Sequence, residues 1–164
     1  MPPDETAFVA PVEPVAWGRS TYTVIRIPEE LADAARDAGT RRLEGTIDGV
    51  PVNLAVTRAP VVDGPFVWAG RSLLRRLGAE AGAPVECRLR PAHDDDVPVP
   101  ADVAAELAAR GVLQRWEGLP PADRRRRLYP IESAARPETR VRRIRALVEE
   151  LDGGSTPAAP RVNP

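Results

Sequence analysis

The sequence predicts an α+β fold in which a small β-barrel with short helices is followed by an α-helical module. Three observations carry this. Up to about residue 92, β-branched runs alternate with single short helical runs. The plan of strand, short helix and strand recurs at an offset of 42 residues. Beyond the proline-rich stretch HDDDVPVP, residues 93 to 100, every long segment has helical periodicity.

TYTVIRI, residues 21 to 27, is β-branched and extended in character. Pro28 opens the helical run EELADAARDAG, which Gly39 stops. A strand at RRLEGTI follows, and IDGVPVNLAV is a hairpin signal, because Asp48-Gly49 between two apolar runs suits a tight turn with positive φ. A shift of 42 positions lays Val24 on Phe66, Ile25 on Val67, Ile27 on Ala69, Leu31 on Leu73, Ala35 on Leu77, Leu43 on Val85 and Ile47 on Leu89. GRSLLRRLG then takes the part of the helix and PVECRLR that of the following strand. Such a repeat implies two half-barrels related by a pseudo-two-fold axis and sharing one core.

In the second part, VPADVAAELAARG starts at Pro100-Ala101 and ends at Gly111. A second helix is expected over about 121–135 with Leu128, Ile131 and Ala135 on one face, and a third from Pro137 that buries Val141, Ile144, Leu147, Val148 and Leu151. The organisation is therefore a flexible, acidic and proline-rich N-terminus over 1–14, a barrel over 15–92, a helical module over 93–152 and a compositionally disordered tail over 153–164.

Composition narrows the function classes. Only 4% of the residues are aromatic, so the core must be aliphatic, and all 23 basic residues are arginine. A bias of that kind supplies arginine wherever a surface needs positive charge, which weakens any single arginine run as a sign of nucleic acid. Residues 1–121 hold 13 arginines against 18 acids and residues 122–164 hold 10 against 6, a near-neutral total unlike the strongly basic domain of a dedicated nucleic-acid binder. Attraction between the two parts is the simpler use of that asymmetry. The N-terminus has no basic stretch followed by an apolar one, and no run approaches the roughly 20 apolar residues of a membrane helix. With the lone Cys87, this points to a cytoplasmic protein without membrane insertion. Cys87 itself reads as a small buried hydrophobe in an alternating strand.

ADRRRRLYPIESAARPETRVRRIR, residues 122 to 145, carries nine arginines. Asp123 with Arg127, Glu132 with Arg136, Glu138 with Arg142 and Arg145 with Glu149 are four apart, a helical spacing worth about 0.2 to 0.5 kcal/mol a pair. Arg124, Arg125 and Arg126 point in three directions around one turn and make no common phosphate-binding face. Arg140 and Arg143 share a face near the start of the third helix, where free amides and the Thr139 hydroxyl favour an anion. They are candidates for binding a phosphate or carboxylate, with an acidic side chain of the barrel as the alternative partner.

Elsewhere, His93 with Asp94, Asp95 and Asp96 reads as a solvated turn, since adjacent loop residues rarely converge on one ion and there is no second histidine. No metal or cofactor is expected. The serines have no nucleophile-elbow context, and no catalytic constellation stands out. Trp68 alternates with Phe66, so both are expected on one face of a strand, with Trp68 the candidate ligand-facing aromatic.

Taken together, YTVIRIPEELADAARDAGTRRLEGTIDGVPVNLAV and FVWAGRSLLRRLGAEAGAPVECRLR resemble the DUF1905 domain. RWEGLPPADRRRRLYPIESAARPETRVRRIRALVEEL resembles the C-terminal module of the YdeI/OmpD-associated, or bacteriocin-protection, proteins, with ETRVRRI its most specific part. The resemblance implies a double-split β-barrel of the broad AbrB type for the first module, built here from one chain and hence monomeric. It also implies a link to envelope stress or antimicrobial-peptide tolerance, and it supplies no reaction and no catalytic residues. The expected function is a cytosolic, non-enzymatic binding or stress-tolerance protein, acting on a protein partner or a small anion. The alternatives are a nucleic-acid-binding regulator with an AbrB-like barrel, and an enzyme or binder for a small anionic ligand at Arg140 and Arg143.

Overall fold

The computed structural model describes residues 5–153. Residues 1–4 and 154–164, with nearly all of the expected tail, lie outside the described residues. The chain divides between Asp96 and Val97 into two compact units, a break that falls inside HDDDVPVP. The described residues form a mixed α+β chain of eight strands and six helices.

The first unit runs β1 (Thr6–Pro11), β2 (Glu13–Trp17), β3 (Ser20–Arg26), α1 (Glu29–Asp37), β4 (Arg42–Ile47), β5 (Val50–Ala55), β6 (Thr57–Ala59), β7 (Val62–Trp68), α2 (Arg71–Leu77) and β8 (Pro84–Ala92). The strands make two antiparallel four-stranded sheets, ordered β1-β8-β4-β5 and β2-β3-β7-β6, and this pairing does not close into a ring.

The 42-residue offset is built into the pairing. Ile25 faces Val67 and Thr46 faces Arg88, so at two places a residue pairs with its own counterpart 42 positions on. These pairs mark a pseudo-two-fold relation between β1-β2-β3-α1-β4 and β5-β6-β7-α2-β8. Loop hydrogen bonds obey it too. The Ile27 amide donates to the Pro65 carbonyl at 3.1 Å and the Ala69 amide to that of Thr23 at 2.9 Å. The Val56 amide donates to Arg41 at 2.7 Å and the Val12 amide to Ala83 at 2.8 Å. The first strand of each half adds to the last strand of the other: β1 lies on β8 and β5 on β4.

That exchange corrects the expectation of a flexible segment over 1–14. Residues 6–11 are strand β1, and Ala10 and Val12 enter the core. Without β1, the backbone groups of β8 on that side would lack partners. The shared core includes Ile25, Leu31, Leu43, Ile47, Val67, Val85, Cys87 and Leu89 from both sheets and α1, with Leu73 from α2. Asp48 and Gly49 turn the β4–β5 hairpin with φ of 46° and 76°, as their chemistry anticipates.

The second unit contains α3 (Ala101–Ala109), α4 (Leu113–Glu117), α5 (Pro121–Glu132) and α6 (Pro137–Asp152). Pro100 and Pro120 stand at helix starts, and Gly111 leaves α3 with φ of 67°. Its core joins Val103, Leu107, Trp116, Leu128, Ile131, Ile144, Leu147, Val148 and Leu151. Two expectations are corrected. α5 stops at Glu132, leaving Ala135 exposed, because Arg136 precedes Pro137 and is held extended at φ −113°, ψ 139°. Val141 is 47% exposed rather than buried. At 3.6 residues per turn, Arg140 falls within the stripe of Ile144, Leu147 and Leu151, and Val141 falls at its edge.

Candidate functional site

Alternation along β3 and β7 sends Ile25 and Val67 to the core and leaves Tyr22, Val24, Phe66 and Trp68 on the opposite face of the sheet. The β2–β3 hairpin brings Trp17 beside them. Trp17 and Trp68 lie nearly parallel, with ring centroids 6.3 Å apart and planes 9° apart. Tyr22 tilts against Trp68 at 5.5 Å and meets Trp17 edge-on at 6.5 Å. Phe66 is fully buried beneath, edge-on to Trp68 at 5.0 Å, and Val15, Val24 and Val62 pack around it.

Each aromatic contact contributes about 0.5 to 1.5 kcal/mol beyond its buried area, so the rings hold one another in place. Trp17, Tyr22 and Trp68 nevertheless remain 43%, 44% and 36% exposed. An exposed apolar cluster on a rigid sheet suits stacking, apolar contact and cation–π contact. Trp68 therefore lies where sequence alternation put it, on one face with Phe66. Trp17 and Tyr22 were not among the candidate site residues, because only the β2–β3 hairpin brings Trp17 to Trp68.

Several arginines of the second unit engage partners within it. The Arg140 guanidinium donates to both Asp102 carboxylate oxygens at 2.6 and 2.9 Å and to the Ile131 carbonyl at 3.2 Å. Arg143 donates to the Pro130 carbonyl. The two residues thus cap the last carbonyls of α5 with positive charge, and Arg140 also ties α6 to the start of α3. Arg115 does the same for α6, donating to the carbonyls of Leu151 at 2.5 Å and Asp152 at 2.9 Å. The acid that meets Arg140 comes from within this unit and not from the β unit. Arg127 likewise reaches Glu150 across to α6 at 2.7 Å, while Asp123 takes Arg126 three residues on, in place of the expected Asp123–Arg127 pair.

Arg140 holds the Asp102 carboxyl below the usual aspartate range, chiefly by direct hydrogen bonding. A lowered folded-state pKa contributes stability at pH above the ordinary aspartate value of about 4, and that contribution is lost as pH falls through the lowered value. Arg140→Ala is accordingly expected to cost about 1 to 1.5 kcal/mol at neutral pH, the modest figure reflecting a half-exposed carboxylate. The gap to the parent protein should narrow in acid, which urea unfolding at a series of pH values would measure.

Asp94, read as part of a solvated turn, accepts from the Thr40 hydroxyl at 2.8 Å and so ties that turn to the end of α1. Among the described residues no group of three or more His, Cys, Asp and Glu side chains is placed to hold a metal ion. Cys87 is fully buried, and burial pushes its thiol up to about 12, which keeps it protonated and inert. Among the described residues no helix is long and apolar enough to cross a membrane.

Comparison with known proteins adds one fact. Residues 96–154 match the family model of the bacteriocin-protection, YdeI or OmpD-associated proteins. The matched stretch covers the four helices of the second unit, Arg140 and its Asp102 partner included, and takes in only Asp96 of the β unit. No curated protein and no solved structure matches the chain.

Proposed function

We propose that the chain is a non-enzymatic, cytoplasmic binding or stress-tolerance protein of the bacteriocin-protection type, in which the β unit supplies the binding face. The family match over residues 96–154 carries this reading. The exposed rings of Trp17, Tyr22 and Trp68 support placing the binding on the β unit, because they offer stacking and apolar contact rather than proton transfer or nucleophilic attack. The β unit is read as a double-split barrel of the DUF1905 kind. Two halves that exchange their first strands are the arrangement such a barrel needs when one chain builds it, which also favours a monomer. The single buried Cys87 suits a reducing compartment.

Arg140 and Arg143 are read as fastening residues rather than, with Thr139, an anion site, since an incoming anion would have to displace Asp102 from Arg140. Nucleic acid ranks below a protein partner because acids and carbonyls engage Arg126, Arg127, Arg140 and Arg143.

The test is survival of bacteria under bacteriocin challenge. Cells expressing the chain are expected to survive better than cells with an empty vector. A Trp17→Ala, Trp68→Ala variant with an unchanged circular dichroism spectrum should lose that advantage. Equal survival with and without the parent chain would overturn the protective role, and full protection by the double variant would overturn the placing of the site.

A further inference from the structure

The pseudo-two-fold relation lets each half of the β unit serve as a control for the other. Around the end of α1 lies an open cleft of about 620 Å³, with Ala32, Ala35 and Val56 as apolar lining and Arg36, Arg41 and Arg58 as its basic groups. The backbone here has a counterpart in the other half, since the Val56–Arg41 and Val12–Ala83 hydrogen bonds are equivalent. The side chains do not correspond. Arg36 and Arg41 give way to Gly78 and Ala83 at the 42-residue offset, and the strand β2 around Pro14 to Ala16, which answers to Arg58, carries no charge there. The fold is thus built without these arginines in one half and carries all three in the other.

Their local partners hold them loosely. Arg36 pairs with Asp33 at 2.7 Å and Arg58 with Glu29, and in both pairs each side chain is more than 40% exposed. Exposed pairs of this kind contribute little. Arg41 is exposed, and its guanidinium makes no hydrogen bond or ion pair among the described residues. The one acid lining the cleft, Asp94, accepts from the buried Thr40 hydroxyl. The carbonyls at the end of α1 are also occupied: those of Ala34, Ala35 and Arg36 accept from Ala38, Thr40 and Gly39. What remains is the Arg41 guanidinium, without an ion pair among the described residues, beside an apolar lining, with Arg36 and Arg58 matched only by exposed acids and a cleft volume in the range of small-molecule sites.

We infer that this cleft binds a small organic anion, a phosphate or carboxylate head on an apolar body. Arg41 supplies the principal contact, and Arg36 and Arg58 turn from their exposed acids toward the ligand. The site is separate from the Trp17–Tyr22–Trp68 face and stands or falls independently of it.

Isothermal titration of the full chain at low salt, with phenyl phosphate, benzoate and inorganic phosphate as probes, tests the assignment. Saturable one-to-one binding of phenyl phosphate or benzoate is expected, at least fivefold tighter than inorganic phosphate. It should weaken at least tenfold in Arg41→Gln and stay unchanged in Arg143→Gln. The two organic probes separate a phosphate head from a carboxylate head. Arg41 makes no side-chain contact whose loss would unfold the chain, and circular dichroism of the variant checks this. Absence of saturation by either organic probe, inorganic phosphate binding as tightly as both, or binding indifferent to Arg41→Gln would overturn the inference.

Discussion

Replacing Gly45 with alanine is expected to remove roughly 3 to 5 kcal/mol of stability although it adds a single methyl group. Gly45 sits in the middle of β4 with φ of 142°, between Val52 of β5 and Leu89 of β8. A Cβ there would stand 2.0 Å from the Arg88 carbonyl oxygen and 3.1 Å from the Leu89 Cα, both of them backbone. Neither can swing aside as a flexible side chain would, and β8 is held on its other edge by β1. The clash also lies next to the Thr46–Arg88 pair, where the two halves meet. Gly49→Ala is the control. Its φ of 76° is also unfavourable for alanine, but a Cβ there meets nothing within 4 Å, so a cost of about 1 kcal/mol is expected. Urea unfolding followed by circular dichroism measures both, and a loss below about 1 kcal/mol for Gly45→Ala would contradict the close approach of β4 and β8.

Trp116→Ala should cost the helical unit a similar amount, about 3 to 5 kcal/mol. Trp116 lies on the short helix α4, is 1% exposed and packs within the core that α3, α5 and α6 share. Its indole nitrogen is buried without a hydrogen-bond partner. Part of the cost of burying the indole is therefore uncompensated, and Trp116→Phe is expected to cost about 1 kcal/mol or less, since it removes the unpaired donor along with some volume. Thermal unfolding of the two variants separates the cases. A phenylalanine variant as unstable as the alanine one would mean that the indole nitrogen has a partner after all.

Much of this architecture was legible in the residues themselves. The offset that lays Ile25 on Val67 arises because both must enter one core from equivalent strands, and Asp48-Gly49 declared its hairpin through a conformation few other residues adopt. β1 and β2 were not legible, because Pro11, Pro14 and the acids obscured an alternation that only pairing with β8 and β3 makes meaningful. The helical arginines were half-read. The i, i+4 spacing suggested Asp123 for Arg127, which instead reaches Glu150 on another helix, and Arg140 and Arg143, expected to meet an anion or an acid of the barrel, meet Asp102 and a helix-end carbonyl of their own unit, contacts set by tertiary packing. The arginine cleft was invisible for the same reason: Arg36, Arg41 and Arg58 come from a helix end, a strand entrance and a β-bulge, and nothing in their spacing predicts that they converge.

The reading turns on whether the arginines of residues 122–145 fasten the helical unit or hold a phosphate backbone. Fluorescence anisotropy of a labelled random DNA duplex, titrated with the full chain at low and moderate salt, addresses this most directly. No saturable binding is expected even at low salt, where counterion release favours association most. Tight binding that weakens steeply as salt rises would contradict it and make the protein a nucleic-acid-binding regulator.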